Sequence, residues 1–191
     1  QQCGIEVAPF VAKRFSGQYS MFLTQRFDRN ATGGRIHFTS AMTMLGYQDN
    51  DTDGCSYLEL ADWISRNCYR VEENLKQMWL RIVFNIAVSN CDDHLRNHGF
   101  LLGRNGWTLA PAYNLNPVPY GQGLSLNINE HDNALDMRLA LEVAPYWGLT
   151  DAAAQTTIEK IRGVVCQWER VAKQLHISRE EQEYMRPAFK V

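Results

Sequence analysis

The stretch from Val71 to Asn114 leaves a chain few ways to fold. Leu75, Met78, Trp79, Ile82, Val83 and Ile86 recur at helical spacing, which predicts a buried helix over Val71–Val88. Ser89-Asn90 ends that helix. Cys91–Asn97 is too polar and too short to be core, so it reads as a loop at the helix end. Gly99–Leu102 and Trp107–Leu109 are apolar runs on either side of Arg104-Asn105-Gly106. Asn-Gly between apolar runs predicts a β-hairpin. A hairpin brings the chain back to where it left. Asp92 and Asn97 in the loop, and Asn114 beyond the hairpin, are therefore expected to converge within reach of one another.

The order of these groups resembles the catalytic core of a protein-kinase-like phosphotransferase. In such a core a loop Asp accepts the substrate hydroxyl proton, an Asn five residues later binds magnesium, and a further Asp after a short hairpin binds metal as well. Here the sequence offers Asp92, then Asn97, then Asn114. His94 stands two after the Asp, where ordinary protein kinases usually carry a Lys.

The wording is closer to one branch. Asn90-Cys91-Asp92-Asp93-His94-Leu95-Arg96-Asn97-His98, followed by Trp107-Thr108-Leu109-Ala110-Pro111-Ala112-Tyr113-Asn114, resembles the HipA family of bacterial Ser/Thr kinases of toxin–antitoxin systems. Gln25-Arg26-Phe27-Asp28-Arg29 is similar to that family's hinge segment, which contacts adenine and ribose. The resemblance runs from about Cys3 to the last helix. It implies ATP and Mg2+ as cofactors, with Asp92 deprotonating a Ser or Thr hydroxyl. His94 or Arg96 would offset charge on the transferred phosphoryl group. Gln25, Phe27, Asp28, His94 and Asn97 would contact the nucleotide, and Asn97 and Asn114 would hold the metal. It also implies a protein substrate connected with translation and a small DNA-binding antitoxin of the HipB kind as partner.

Two departures from the family pattern stand out. Position 114 carries Asn where the family has a metal-binding Asp. An amide oxygen can ligate magnesium but brings no charge to a hard cation that favours carboxylates and phosphates. In addition, the chain begins at Gln1, and no Gly-rich loop or strand Lys precedes Gln25. The expected fold is mainly α with some β (α+β): a kinase-like large lobe over residues 27–191, with a small hairpin at its active site. Residues 1–26 would be strands left from a small lobe. Such a chain is expected to be inactive by itself. The rival expectation is a catalytically degenerate kinase-like module kept as a scaffold in a toxin–antitoxin complex. A weaker third is a metal-dependent hydrolase using Asp92, Asp93, His94 and His98.

The rest of the chain reads as support. Val11–Phe15 and Tyr19–Arg26 are expected strands around Ser16-Gly17-Gln18, after a helix tail ending at Gly4. Asn30–Gly34 is a loop, Ser40–Gly46 a short helix, and Tyr57–Asn67 a helix capped by Ser56. Gln48–Gly54 carries carboxylates at alternating positions but has Leu60 where a calcium loop needs its closing acid, so it reads as a solvated loop. Leu115–Gly123, with its prolines and glycines, resembles an activation segment. Ser125–Asn129 is an expected strand and Asp132–Val143 a helix. A long helix runs from a Thr150 cap to about Leu175. Ser178 with Glu181 forms a capping box for the last helix.

With 191 residues, 45% of them apolar, and a formal net charge of -2, the chain fits a globular protein with scattered rather than clustered Lys and Arg. That argues against direct nucleic-acid binding. Five cysteines without C-x-x-C spacing read as reduced thiols of a cytoplasmic protein. No apolar run approaches the roughly 20 residues that span a bilayer.

Overall fold

A computed structural model describes residues 1–14, 20–49 and 54–191. Its strands form two small antiparallel sheets and its core is helical. The first sheet is a hairpin of β1 (Phe10–Arg14) and β2 (Ser20–Thr24), in register from Phe10 opposite Thr24. The expected turn at Ser16-Gly17-Gln18 lies outside the described residues. The second sheet has three strands in the order β3 (His37–Ser40), β4 (Gly99–Gly103), β5 (Gly106–Leu109). The β4–β5 pair is the expected hairpin. The β3 strand has no counterpart in the sequence reading, because His37–Ser40 is too short and too mixed to show a period.

The turn differs from the expected one. Gly103 pairs with Gly106, so Arg104 and Asn105 are the two turn residues. Neither takes a positive φ; Gly106 does, at 122°. The Asn-Gly pair thus places its glycine one residue later than a two-residue Asn-Gly turn would.

The helices are α1 (Ala41–Leu45), α2 (Tyr57–Asn67), α3 (Val71–Ala87), α4 (Met137–Glu142), α5 (Asp151–Val165), α6 (Trp168–Gln174) and α7 (Arg179–Met185). The spine of the molecule is α3. Met78, Trp79, Ile82, Val83 and Ile86 on it are fully buried. Its partners are α2, α4, α5 and the short 3-10 turn Ala144–Trp147. The Trp79 indole N–H donates to the Ala140 carbonyl at 2.9 Å, so this large ring loses no hydrogen bond on burial.

Several caps fall where the residue types place them. Ser40 and Thr150 accept from Thr43 N and Ala153 N, and Ser178 with Glu181 forms a complete capping box. Ser56 holds the N-cap position but makes no side-chain cap bond, pairing instead across a bridge to Asn127. That single bridge is all that remains of the expected strand Ser125–Asn129. The helix expected over Asp132–Val143 begins only at Met137. Asp136 accepts from Arg138 N at 2.8 Å and starts it late. The long helix expected to reach Leu175 ends at Val165 and resumes at Trp168. The N-terminal residues form a turn ending at Gly4, φ 79°, rather than a helix tail.

The chain's end is tied to the site. The Ser89 hydroxyl donates to the Ala188 carbonyl at 2.7 Å, and Lys190 N to the Ala87 carbonyl at 2.8 Å.

Candidate active site

The loop 90–97 leaves the C-terminal end of α3, the segment 110–116 beyond the hairpin meets it through Asn114 and Asn97, and residues 25–28 after β2 meet that segment through Phe27 and Tyr113. Ser89, at φ 51°, turns the chain sharply out of α3 into the loop. The loop closes with a 3-10 turn, Leu95–Asn97, and leads directly into β4.

Within the loop the adjacent carboxylates have opposite surroundings. Asp92 is exposed. Asp93 is 1% exposed, and its Oδ2 accepts from Tyr57 Oη at 2.5 Å and Asn85 Nδ2 at 2.6 Å, with His98 Nε2 at 2.9 Å. A buried carboxylate requires such donors. Burial first, then the Asp93 charge, pushes the Tyr57 hydroxyl well above its ordinary pKa, so it stays a donor. These contacts fix Asp93 inward. Asp92, in the turn just before it, stays exposed.

The groups expected to converge do so. Asn97 Nδ2 donates to the Asp92 carbonyl at 2.7 Å. Asn114 Nδ2 donates to Asn97 Oδ1 at 2.9 Å, and Asn116 Nδ2 to Asn114 Oδ1 at 2.5 Å. Asn114 has φ 55°, a left-handed conformation that Asn tolerates better than most residues. Tyr113 donates from its hydroxyl to the Arg96 carbonyl at 2.8 Å, and its ring stacks on Phe27 at 5.7 Å. Phe38 on β3 completes the aromatic group, 5.8 Å from Phe27. Gly99 makes this possible, since a Cβ there would lie 2.2 Å from the Phe38 ring.

Beside this group opens a cleft of about 630 Å3, lined by Phe10, Phe22, Gln25, Phe27, Asp28 and Asn114 among others. Its walls are mostly apolar, as a flat aromatic ligand needs. The Asp28 carboxylate is already engaged: Arg26 Nη2 and Arg29 Nη1 lie 2.6 and 2.7 Å from its Oδ2. The Arg26 hydrogen bond is the main cause that lowers its pKa to about 2. Arg96 pairs with Asp49. His94 is half-buried, and its Nδ1 is buried with no partner among the described residues. Asp92, His94, Arg96 and Asn97 do not line the cleft; they stand behind Asn114, linked to it through Asn97.

Asp93 and His98 bond each other and are buried, so neither faces a ligand shared with Asp92. Among the described residues no three His, Cys, Asp or Glu side chains gather in a metal-holding arrangement, which counts against the hydrolase reading. The residues that sequence reading passed over are Tyr57, Asn85 and Arg81, all polar and buried. For Arg81 and Asn85 the available signal was a polar residue on the apolar face of a predicted buried helix.

Solved structures share this fold, and two of them are informative. One is HipA of Shewanella oneidensis MR-1, in a toxin–antitoxin complex with HipB and operator DNA, at TM-score 0.73 and 19% identity, with 98% of this chain and 50% of that one covered. The chain thus spans half the length of that HipA. The other is the Helicobacter pylori proinflammatory kinase CtkA, at TM-score 0.52 and 9% identity, covering 85% of this chain and 78% of that one. No curated protein sequence matches. The HipA-like C-terminal domain profile matches residues 1–169. With nearly the whole chain matched by that profile and the same fold in a solved HipA, the chain belongs to the HipA-like C-terminal domain family.

Proposed function

We propose that the chain is the large lobe of a HipA-like serine/threonine protein kinase, built to hold ATP between the Phe27 segment and the Asn114 segment. One observation carries this reading: the hydrogen-bonded string from the Asp92 carbonyl through Asn97 to Asn114, beside a cleft roofed by Phe27. A purine ring would lie against Phe27, with Gln25 and Asp28 at its edge. The exposed Asp92 carboxylate would take the proton of a substrate Ser or Thr hydroxyl. His94 or Arg96, which follow Asp92 in the loop, would offset charge on the transferred phosphoryl group, Arg96 by leaving its pairing with Asp49. Catalysis of this class is mostly positioning and electrostatics.

The residues present fit magnesium as a weak site. Asn97 Oδ1 and Asn114 Oδ1 each accept one amide hydrogen bond, and an amide oxygen has two lone pairs. Each oxygen thus keeps one for a cation. The pair adds no negative charge, so affinity falls below that of a carboxylate site. A bound ion there would neutralise charge on the ATP phosphates.

The test is Asp92→Ala in a form of the protein that also carries a phosphate-covering lobe. Phosphotransfer is expected to fall by about 10²–10⁴-fold, the range for a lost general base. Melting temperature should not move, because the Asp92 side chain is exposed. Undiminished transfer would remove Asp92 from its role. The family resemblance further supports a DNA-binding HipB-like partner and a protein substrate.

Asn114 favours a second reading, a degenerate lobe that binds a partner or a nucleotide without transferring phosphate. A thermal-shift series separates the two. Stabilisation by ATP that needs magnesium fits the kinase; stabilisation by ATP that ignores magnesium, without transfer, fits the binding module.

A further inference from the structure

Helix α3 carries a buried polar stripe on its apolar surface. Asn74, Arg81 and Asn85 lie seven and four residues apart, so they share one face. They are 7%, 1% and 0% exposed. Each grips a different point of the site's framework. Asn74 Oδ1 accepts from Leu109 N at 2.7 Å, at the end of β5. Arg81 Nη2 donates to the Ala110 carbonyl at 2.5 Å, four residues before Asn114. Asn85 Nδ2 donates to Asp93 at 2.6 Å, one residue after Asp92, and its Oδ1 accepts from Asn90 at 3.0 Å.

Such a stripe is costly. Arg81 Nε and Nη1 are buried with no hydrogen-bond partner among the described residues, and burial lowers its pKa to about 10. An apolar residue would pack there at less expense. What the polar groups provide instead is geometry. A rigid helix holds Arg81 and Asn85 one turn apart, about 5.4 Å along its axis. The arm that bears Asp92 and Asn97 hangs from Asn85 through Asp93. The arm that bears Asn114 hangs from Arg81 through Ala110.

We propose that Arg81 and Asn85 are positioning residues that set the separation of the two arms of the site, and so the alignment of Asp92 and Asn97 with Asn114. Neither touches substrate; both act through the backbone and the Asp93 carboxylate. The consequence for turnover rests on the kinase reading above, whereas the consequence for geometry does not.

The experiment has two arms, both on the full-length protein. The first measures phosphotransfer in Arg81→Met and Asn85→Leu, which keep bulk and remove the bonds. Turnover number is expected to fall on the order of ten- to hundredfold, as for small misplacements of reacting groups. The nucleotide KM should stay within about twofold, and Arg81→Lys should recover part of the loss. The second uses asparagine labelled with nitrogen-15. The side-chain amide signals of Asn97 and Asn114, which bond each other, should shift in both variants and stay in place in Ile82→Val, a core change on the same helix.

Unmoved amide signals in Arg81→Met and Asn85→Leu would overturn the proposal whether or not the protein transfers phosphate. So would a turnover within twofold of the parent, or a loss of activity that only tracks a lower melting temperature. Should Asp92→Ala prove harmless, the catalytic reading falls alone, and the amide signals still decide the positioning role.

Discussion

An amide stands at position 114 where the family resemblance implies a carboxylate, in a backbone with φ 55°. Asp also tolerates that conformation, so Asn114→Asp changes charge with little steric cost. The exchange removes the donor to Asn97 and supplies a negative ligand to the cation. In a form that carries a phosphate-covering lobe, it is expected to raise magnesium-dependent transfer about tenfold or more, since a charged ligand suits a hard cation. A magnesium titration of transfer rate checks this; an unchanged titration would count against the metal role of residue 114. A second residue, Tyr57, makes stability depend on alkaline pH. Burial raises its folded pKa above the ordinary 10.0, so only the unfolded chain releases that proton. Its contribution is whole below pH 10 and is lost as pH rises further. Tyr47 and Tyr113 are raised as well, by bonds to Cys55 and Glu59 and by burial, so the slope is shared. Tyr57→Phe should make the loss of unfolding free energy above pH 10 shallower by at most about 1.4 kcal/mol per pH unit, one proton's worth. Urea titrations at neutral and alkaline pH measure it. Asp92, Asn97 and Asn114 were legible in the sequence because chain order and a hairpin are enough to bring them together. The inward turn of Asp93 was not, because nothing in an Asp-Asp pair says which carboxylate finds donors from a helix 36 residues away.

Among the elements, α3 and the β4–β5 hairpin could be read from the sequence because each is decided locally, by an apolar period or by a turn. The pairing of β3 with β4 was not, since Thr39 and Phe100 meet across 61 residues and leave no periodic trace. The same holds for α4, which Asp136 starts late by capping. The break at Cys166–Gln167 is a case where the period of apolar residues continued but the helix did not. The β3–β4 contact has a sensitive point. At Gly99 a Cβ would meet the Phe38 ring at 2.2 Å and the Tyr113 hydroxyl at 3.2 Å. Gly99→Ala should therefore swing Phe38 away from Phe27 and cost about 1–3 kcal/mol, as overpacking does. The melting temperature and the near-ultraviolet signal of the aromatic group would report it. A variant as stable as the parent, with an unchanged aromatic signal, would contradict the packing described.

At the scale of the whole molecule, the helical body is well buried, but the β1–β2 hairpin is not. Phe10, Val11, Met21, Phe22 and Leu23 are between 48% and 64% exposed. A two-stranded hairpin is marginal without a further layer, and it forms one wall of the cleft. Half of the length of the similar HipA has no counterpart in these residues. With one cleft wall so open and with an amide at 114, the 191-residue chain by itself is expected to bind magnesium–ATP weakly and to transfer little phosphate. Titration calorimetry checks this, and micromolar affinity would refute it. Among the described residues no helix is long and apolar enough to cross a membrane.

The tie between Ser89, Ala87 and the final residues has a practical consequence. The last turn of the chain, Arg186–Ala188, is knotted to the point where the helix gives way to the Asp92 loop. Removing residues 187–191 would take away the Ala188 carbonyl and the Lys190 amide, and so free Ser89 and Ala87 at the hinge of that loop.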